Sequence, residues 1–268
     1  MSSPDTVFSG SIPEMYDRLM VPMIFEPYAL DLAERLQAAR DILEVAAGTG
    51  AVTRAVTARL PPEARIVATD LNQPMIDHAA RRLAGDPRVT WRQADALALP
   101  FADASFDAVL CQFGAMFFPD RVRGYREARR VLRQTGRYLF SIWDRIGANV
   151  FADAVTDALV PFQPQNPPRF LARTPHGHGD ADQIRAELVA AGFGKIAIDV
   201  VQKISRAAAA LDVAIAYCHG TPLRNEIEAI PGLSLDTATQ AAAAELRRRF
   251  GDGAIEGPIQ ALVIEARN

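Results

Sequence analysis

The chain has 268 residues, of which 49% are hydrophobic and 23% charged, a composition that supplies ample core for one large domain or one domain with a lid. Its net charge of −3 gives no electrostatic case for nucleic acid or for an anionic membrane. The two cysteines, Cys111 and Cys218, are too far apart for a CxxC pair or a cysteine-rich metal site, so a reduced, cytoplasmic setting is expected. No stretch approaches the ~18 apolar residues of a membrane span, and Met1-Ser2-Ser3-Pro4-Asp5-Thr6 carries no basic n-region, so neither a span nor a signal peptide is predicted.

In chain order, apolar residues at helical spacing (Leu30, Ala33, Leu36) predict a helix over Pro27 to Ala39 that leads into the first strand. Strand patterns follow at Asp41–Ala46, Arg65–Asp70, Arg88–Gln93, Phe106–Gln112 and Gly136–Trp143, with helices Ala51–Leu60, Gln73–Leu83 and Arg121–Leu132 between them. Gly114 to Asp120 reads as a loop. This alternation predicts an α/β fold with a doubly wound, mostly parallel sheet and helices on both faces. Ile146 to Asp180 breaks the rhythm with Pro161, Pro164, Pro167, Pro168 and Pro175, which predicts a lid-like insertion after a helix at Phe151–Val160. Beyond it an amphipathic helix is expected from Asp180 to Ala191 with Gly192 as its stop, a strand at Lys195–Val201, helices at Ala207–His219, Arg224–Ile230 and Asp236–Phe250, and a last strand at Pro258–Ala266. The short basic clusters Arg129-Arg130 and Arg247-Arg248-Arg249 lie in helical patterns and read as solvated helix faces.

Asp41-Ile-Leu-Glu-Val-Ala-Ala-Gly-Thr-Gly50 carries the most information. A short apolar strand runs into a turn whose glycines, Gly48 and Gly50, have no Cβ to obstruct a ligand. The following helix points its N-terminal N–H groups at whatever lies there. Gly48, Asp70, Asp95 and Gln112 all fall at the carboxyl ends of predicted strands, where open α/β sheets bind their ligands. A dinucleotide site is the obvious competitor: Gly48 and Gly50 supply two glycines of G-x-G-x-x-G and Asp70 the later acid, but Thr53 holds the third position.

Glu44-x-Ala46-x-Gly48-x-Gly50, then Asp70, then Asp95-Ala96, resembles the S-adenosylmethionine site of class I methyltransferases. Leu99-Pro100-Phe101 with Ser105-Phe106-Asp107-Ala108-Val109, and Met15-Tyr16-Asp17-Arg18, are similar to the subgroup of ubiquinone- and menaquinone-biosynthesis methyltransferases, the methyltransferase type 11 enzymes. The resemblance covers about residues 12 to 145 and is more specific for the cofactor than for the substrate. It implies one methyltransferase domain over 1–268 with a seven-stranded sheet: an N-terminal helical segment (1–40), a cofactor-binding core (41–145), the lid-like insertion (146–180), and a sheet completion (181–268) with a helical insertion at about 203–255.

By that resemblance the backbone around Ala46, Gly48 and Gly50 faces the methionine portion and sugar of S-adenosylmethionine. Glu44 orders the loop or reaches the cofactor's amino group through water, the alternative being a buried supporting carboxylate. Asp70 accepts from the ribose hydroxyls; helix capping, its other reading, is better served by Asn72. Leu71 and Met75 pack on the adenine or belong to the core. Asp95 accepts from the adenine amine and the Ala96 N–H donates to a ring nitrogen. Gln112 and Phe113 line the transfer face, and Tyr16 closes over the cofactor or lies on the surface. Cys111 is read as a small core residue. S-adenosylhomocysteine is the implied product.

A positively charged sulfonium leaves the protein little to do beyond aligning the acceptor and excluding water. A base is needed only for an acceptor whose proton must leave. The candidates are His176, His178 and His219, with His178 singled out as base or substrate contact because Thr174-Pro-His-Gly-His-Gly-Asp180 precedes a helix; capping by Asp180 is the plainer reading, and no metal site is expected. Phe117, Phe118, Trp143, Phe162 and Phe170 are candidates for an aromatic acceptor pocket. The expected partner is a small-molecule methyl acceptor, with no nucleic acid and no membrane, in a monomer or homodimer. The competing functions are an NAD-dependent oxidoreductase and a cofactor-binding module without transfer activity.

Overall fold

The computed structural model describes residues 12–36 and 39–268. A helical stretch opens it: α1 (Ile12–Met15), a π-helical segment Tyr16–Phe25, and α2 (Glu26–Arg35). Pro22 lies inside the π-helical part, where, having no N–H, it donates no backbone bond to the preceding turn. The helix predicted to run to Ala39 ends at Arg35; its predicted passage through 37–38 lies outside the described residues.

The sheet follows: β1 (Asp41–Val45), β2 (Arg65–Asp70), β3 (Val89–Gln93), β4 (Phe106–Gln112), β5 (Leu132–Trp143), β6 (Lys195–Ala207) and β7 (Ile255–Arg267). Its order is β3-β2-β1-β4-β5-β7-β6, so β1 and β4 are central and the last strand in sequence slots in beside β5. β1 pairs parallel with both β2 and β4, in the register Ile42↔Ile66 and Ile42↔Ala108, Glu44↔Ala68 and Glu44↔Leu110. A strand buried on both faces reads as a continuous apolar run, and Ile42, Leu43, Val109 and Leu110 are all shut off from solvent.

The connecting helices are α3 (Ala51–Thr57), α4 (Gln73–Arg82) and α5 (Arg121–Val131), followed by α6 (Val150–Leu159), α7 (Phe170–Arg173), α8 (Ala181–Ala191), α9 (Ala210–Gly220), α10 (Leu223–Glu228) and α11 (Leu235–Phe250). α8 begins and ends as the sequence predicts: the Asp180 carboxylate accepts from the N–H groups of Asp182 and Gln183, and Gly192 closes the helix at φ 99°.

Among the strands, two boundaries differ most from expectation. β5 starts at Leu132 directly after α5, without a turn, because its pairing with β4 slips between Phe106↔Leu132 and Ala108↔Arg137. Gly136 sits in that bulge, where a Cβ would come within 3.1 Å of the Asp107 carbonyl oxygen. β6 runs on to Ala207 rather than stopping at Val201, since the alternation of its half-exposed positions continues. The proline-rich insertion contains two short helical pieces, Val160–Phe162 and α7.

The chain divides into two compact units, and β5, β6 and β7 contribute residues to each. The sheet unit holds Glu26–Ile142, Gly179–Val201 and Ala261–Asn268. Its core runs from Tyr28 and Leu32 of α2 through β1 and β4 to a stack of Tyr125, Tyr138, Phe140 and Phe193. Among the described residues, the helical unit holds 12–25, Trp143–His178 and Gln202–Gln260. There α11 packs on α6 and α9, and Phe151 meets Phe250 edge-on at 5.0 Å. Among the described residues no helix is long and apolar enough to cross a membrane.

Candidate functional site

Parallel pairing brings the carboxyl ends of β1, β2, β3 and β4 to one edge of the sheet, so Val45, Asp70, Gln93 and Gln112 end side by side. The turn after β1 is unusual in its backbone: Ala46, Gly48 and Gly50 have φ of 54°, 55° and 79°. On the neighbouring strand, Phe113 has φ 50°. A left-handed conformation costs a residue with a side chain about 1–2 kcal/mol, and such strain concentrates at functional sites. Ala46→Gly removes that strain but frees the unfolded chain, so a net gain of up to about 1 kcal/mol is expected, read as a higher denaturant midpoint at unchanged slope.

The two glycines of the turn do different work. A Cβ on Gly48 would meet nothing within 4 Å, so this residue faces open space, as a ligand-facing position requires. A Cβ on Gly50 would lie 2.9 Å from the Trp91 ring and 3.3 Å from the Ala79 Cβ. Gly50 therefore allows close packing against α4 and β3, a use beyond the clearance for a ligand that the sequence suggests for both glycines. A third glycine matters as much: a Cβ on Gly114 would come within 2.4 Å of Ala46 Cβ and 2.9 Å of Cys111 Sγ. The loop after β4 thus lies directly against the turn after β1.

Two carboxylates form the floor. Asp70 is 7% exposed, and its oxygens accept from the Gly48 N–H at 2.9 Å and the Asn72 N–H at 2.8 Å. Burial pushes its pKa up, against the pull of these N–H donors. Asn72 takes the N-cap position of α4 without a side-chain capping bond; its amide leans to Asp70 at 3.4 Å instead. Capping by the Asn72 side chain is therefore a corrected expectation. Glu44 is 2% exposed and accepts from the Thr53 hydroxyl at 2.5 Å. Burial among apolar strand neighbours pushes its pKa up to about 8, with the nearby Asp70 adding to the rise and Thr53 and Arg54 opposing it. Thr53, the residue standing where a dinucleotide fingerprint has its third glycine, is thus the donor that holds Glu44. Neither carboxylate forms an ion pair among the described residues; the guanidinium of Arg54 turns to the Thr49 carbonyl oxygen at 2.7 Å.

The other predicted positions distribute around this floor. Leu71 is 47% exposed at the end of β2, whereas Met75 is buried in the first turn of α4 and belongs to the core. Asp95 is exposed; one of its oxygens accepts from the Leu97 N–H at 2.9 Å, and Ala96 beside it is half-buried. Gln112 pairs with Ser141 of β5, and the buried Phe113 meets the Tyr28 ring edge-on at 5.3 Å. Cys111 is buried as expected of a core thiol, its pKa pushed up to about 12 by burial.

The loop that carries Asp95 is tied down by α5. The guanidinium of Arg130 donates to the carbonyl oxygens of Leu99 (2.9 Å) and Phe101 (2.8 Å) and to the carboxylates of Asp103 and Glu127, while Glu127 accepts from the Leu99 N–H.

Tyr16, His176, His178 and His219 belong to the helical unit. Tyr16 is half-buried and stacks on Phe25 at 4.7 Å, with Phe25 and Trp143 6.0 Å apart. His178 is buried. His176 faces the Asp144 carbonyl oxygen through Nδ1 at 2.8 Å and the Trp143 ring at 5.9 Å; burial pushes its pKa down to about 4. His219 shares a hydrogen bond with the Thr239 hydroxyl at 3.0 Å. Among the described residues no group of three candidate ligands could hold a metal ion. The five aromatic residues named for an acceptor pocket divide between the units: Phe117 and Phe118 in the sheet unit, Trp143, Phe162 and Phe170 in the helical one. Phe118 packs beneath Gly124, whose Cβ would lie 2.6 Å from its ring.

Sequence reasoning missed Gly114, Tyr28 and the positive role of Thr53. A glycine two residues past a predicted strand end was the available signal for the first, and a hydroxyl nine residues after a buried acid, in the first turn of a helix, for the last.

Comparison with known proteins agrees with this geometry. A family model described as a methyltransferase domain matches residues 42–136. The demethylmenaquinone methyltransferase of Clavibacter sepedonicus is 35% identical over 164 residues, 58% of this chain and 66% of that protein. The ubiquinone/menaquinone biosynthesis C-methyltransferase of Pseudomonas aeruginosa is 26% identical over 202 residues, 71% of this chain and 75% of its own length. In fold, the phosphoethanolamine N-methyltransferase 2 of Haemonchus contortus, solved with S-adenosyl-L-methionine, superposes with a TM-score of 0.58 at 15% identity, over 96% of this chain and 56% of that one.

Proposed function

We propose that this chain, which belongs to the class I S-adenosylmethionine-dependent methyltransferases, moves a methyl group from that cofactor to a small organic acceptor, with a quinol or other phenolic ring as the acceptor class. The observation that carries the reading is the floor of the turn. Of two neighbouring buried carboxylates without an ion-pair partner, one, Asp70, holds the N–H of a glycine that faces open space. Such a floor suits a ligand that brings a diol and positive charge, and an exposed leucine beside it suits an apolar ring. The residues present therefore fit the cofactor.

Each has a definite task. Asp70 accepts the Gly48 N–H at Oδ2 and the N–H and amide of Asn72 at Oδ1, and its carboxylate keeps acceptor capacity for the vicinal hydroxyls of a ribose. Leu71 offers the exposed apolar face for the base. Asp95 holds the exocyclic amine through the oxygen that Leu97 does not use, with the Ala96 N–H beside it. The turn Ala46–Gly50 underlies the amino-acid portion, and Gln112 and Phe113 border the transfer face. Bound there, the cofactor supplies a methyl group already activated by its sulfonium. The protein's share is alignment and exclusion of water. A base is required only where the acceptor's proton must leave, and His178 keeps that role within the proposal.

The acceptor class draws support from relatives named for quinone biosynthesis. A cytoplasmic setting accords with two buried free thiols. Calorimetric titration of the full chain with S-adenosylhomocysteine, with NAD as the control, should give micromolar binding of the first and none of the second. NAD binding alone would replace this reading with an oxidoreductase. Given cofactor binding, labelled methyl should pass from S-adenosylmethionine to a reduced naphthoquinone; label passing only to amines would overturn the acceptor class.

A further inference from the structure

Glu44 lies deeper than a ligand-contacting carboxylate needs to. It sits in the middle of the sheet, flanked by Ala68 and Leu110 on the paired strands, with one hydrogen-bond donor, the Thr53 hydroxyl. Among the described residues, three charged or titratable groups face it from the packed elements. From α3 comes Arg54, whose guanidinium is turned to the Thr49 carbonyl oxygen; from β2 comes Asp70, a second carboxylate; from β4 comes Cys111, a thiol held neutral by burial. None forms an ion pair with it. A charged carboxylate in that position has only the guanidinium of Arg54 near it, engaged elsewhere and not in ion-pair contact, whereas a neutral carboxylic acid needs no counter-charge.

We propose that Glu44 is the proton-linked counter-charge of the cofactor: a carboxylic acid in the free protein, it gives its proton to solvent and becomes a carboxylate when the cationic end of the ligand settles above the turn, so that binding releases one proton. The inference rests on the cofactor reading given above. The proton leaves Glu44 for the buffer, no bond to the ligand forms, and the new negative charge is matched by the ligand's positive one. The rise of the acid's pKa to about 8 sets the window. Below it the acid form predominates and binding must expel a proton; above it the carboxylate is already present. Affinity therefore climbs with pH up to that point; above it a sulfonium-matched site levels off, whereas an ammonium-matched one weakens as the ligand's amine loses its own proton.

Two groups on the ligand carry the required charge, the α-ammonium and the sulfonium, and three ligands separate them. S-adenosylmethionine has both, S-adenosylhomocysteine only the ammonium, and 5′-methylthioadenosine neither. Titration calorimetry in buffers of different ionisation enthalpy counts the protons released. At pH 7 we expect release of most of a proton on binding S-adenosylmethionine, and an affinity that rises by up to about tenfold per pH unit while the acid form predominates. Equal release with S-adenosylhomocysteine assigns the counter-charge to the ammonium; release with S-adenosylmethionine alone assigns it to the sulfonium. Methylthioadenosine should release none.

Glu44→Gln should abolish both the release and the pH dependence. Thr53→Val, which removes the donor that lowers the acid's pKa, should move the midpoint upward. Disappearance of a buried carboxylic-acid C=O band in the infrared difference spectrum of the wild-type protein on binding provides the same readout without any substitution. Proton release that persists in Glu44→Gln, release with methylthioadenosine, or tight binding of S-adenosylmethionine at pH 7 with no proton exchanged would each overturn the proposal. Failure of all three adenosyl ligands to bind would overturn the cofactor reading instead.

Discussion

Asp70→Ala is expected to weaken S-adenosylhomocysteine binding by at least about a hundredfold while leaving the chain folded. The carboxylate is placed to accept from two hydroxyls, and charge-assisted hydrogen bonds of this kind contribute about 1.5–3 kcal/mol each. It also fixes the turn from below: removing it leaves the Gly48 and Asn72 N–H groups without their acceptor, so the open face of Gly48 loses its definition as well. Two opposing effects act on stability. Orphaned N–H groups destabilise, whereas taking away a carboxylate whose charged form is disfavoured by burial relieves a strain. A melting temperature within a few degrees of wild type is therefore expected, with an unchanged circular dichroism spectrum. Asp70→Asn keeps the shape but offers only one acceptor oxygen and should fall between the two. Undiminished affinity in a folded Asp70→Ala protein would remove Asp70 from the site.

Gly114→Ala should produce the largest loss of stability from a single added methyl group in the sheet unit. The new Cβ would come within 2.4 Å of Ala46 Cβ and 2.9 Å of Cys111 Sγ, and neither neighbour is the free end of a flexible chain. Overpacking of this kind costs about 1–3 kcal/mol, or a fall in melting temperature of about 2–12 °C for a protein of this size. Because the methyl displaces Ala46, a residue already in a left-handed conformation, cofactor affinity should drop along with stability. Gly147→Ala is the control: nothing lies within 4 Å of its Cβ, and the change should stay within about 0.5 kcal/mol of wild type. A Gly114→Ala protein that melts with the control would show that the two loops do not touch as described.

The strand ends that make the site were readable because parallel strands buried on both faces appear as uninterrupted apolar runs, and a polar residue at the end of such a run stands out. Asp70 and Gln112 were located in that way, and the turn at Gly48 by its glycines. The uses of those glycines could not be read, since whether a missing Cβ admits a ligand or a tryptophan from another strand depends on what packs there; Gly50 meets Trp91, forty-one residues on. Thr53 looked like a departure from a fingerprint and proved to be the partner of Glu44, a relation that only the geometry of the helix start displays. The start of β5 was hidden because its bulge interrupts the period-two pattern, and the length of β6 because half-exposed positions give a weak apolar signal. The π-helical segment from Tyr16 to Phe25 has no sequence signature of its own beyond Pro22.

The fork of Arg130 has a consequence for how this chain can vary. It grips the loop after β3 through main-chain carbonyl oxygens, at Leu99 and Phe101, not through their side chains. The identity of the loop residues is therefore loosely constrained by this contact, provided the backbone follows the same path, while the gripping residue is not. A lysine offers one ammonium where the guanidinium reaches two carbonyl groups and two carboxylates at once. Drift in the sequence is thus tolerated on the side that presents Asp95 and resisted one helix away, at the residue that holds the loop's path.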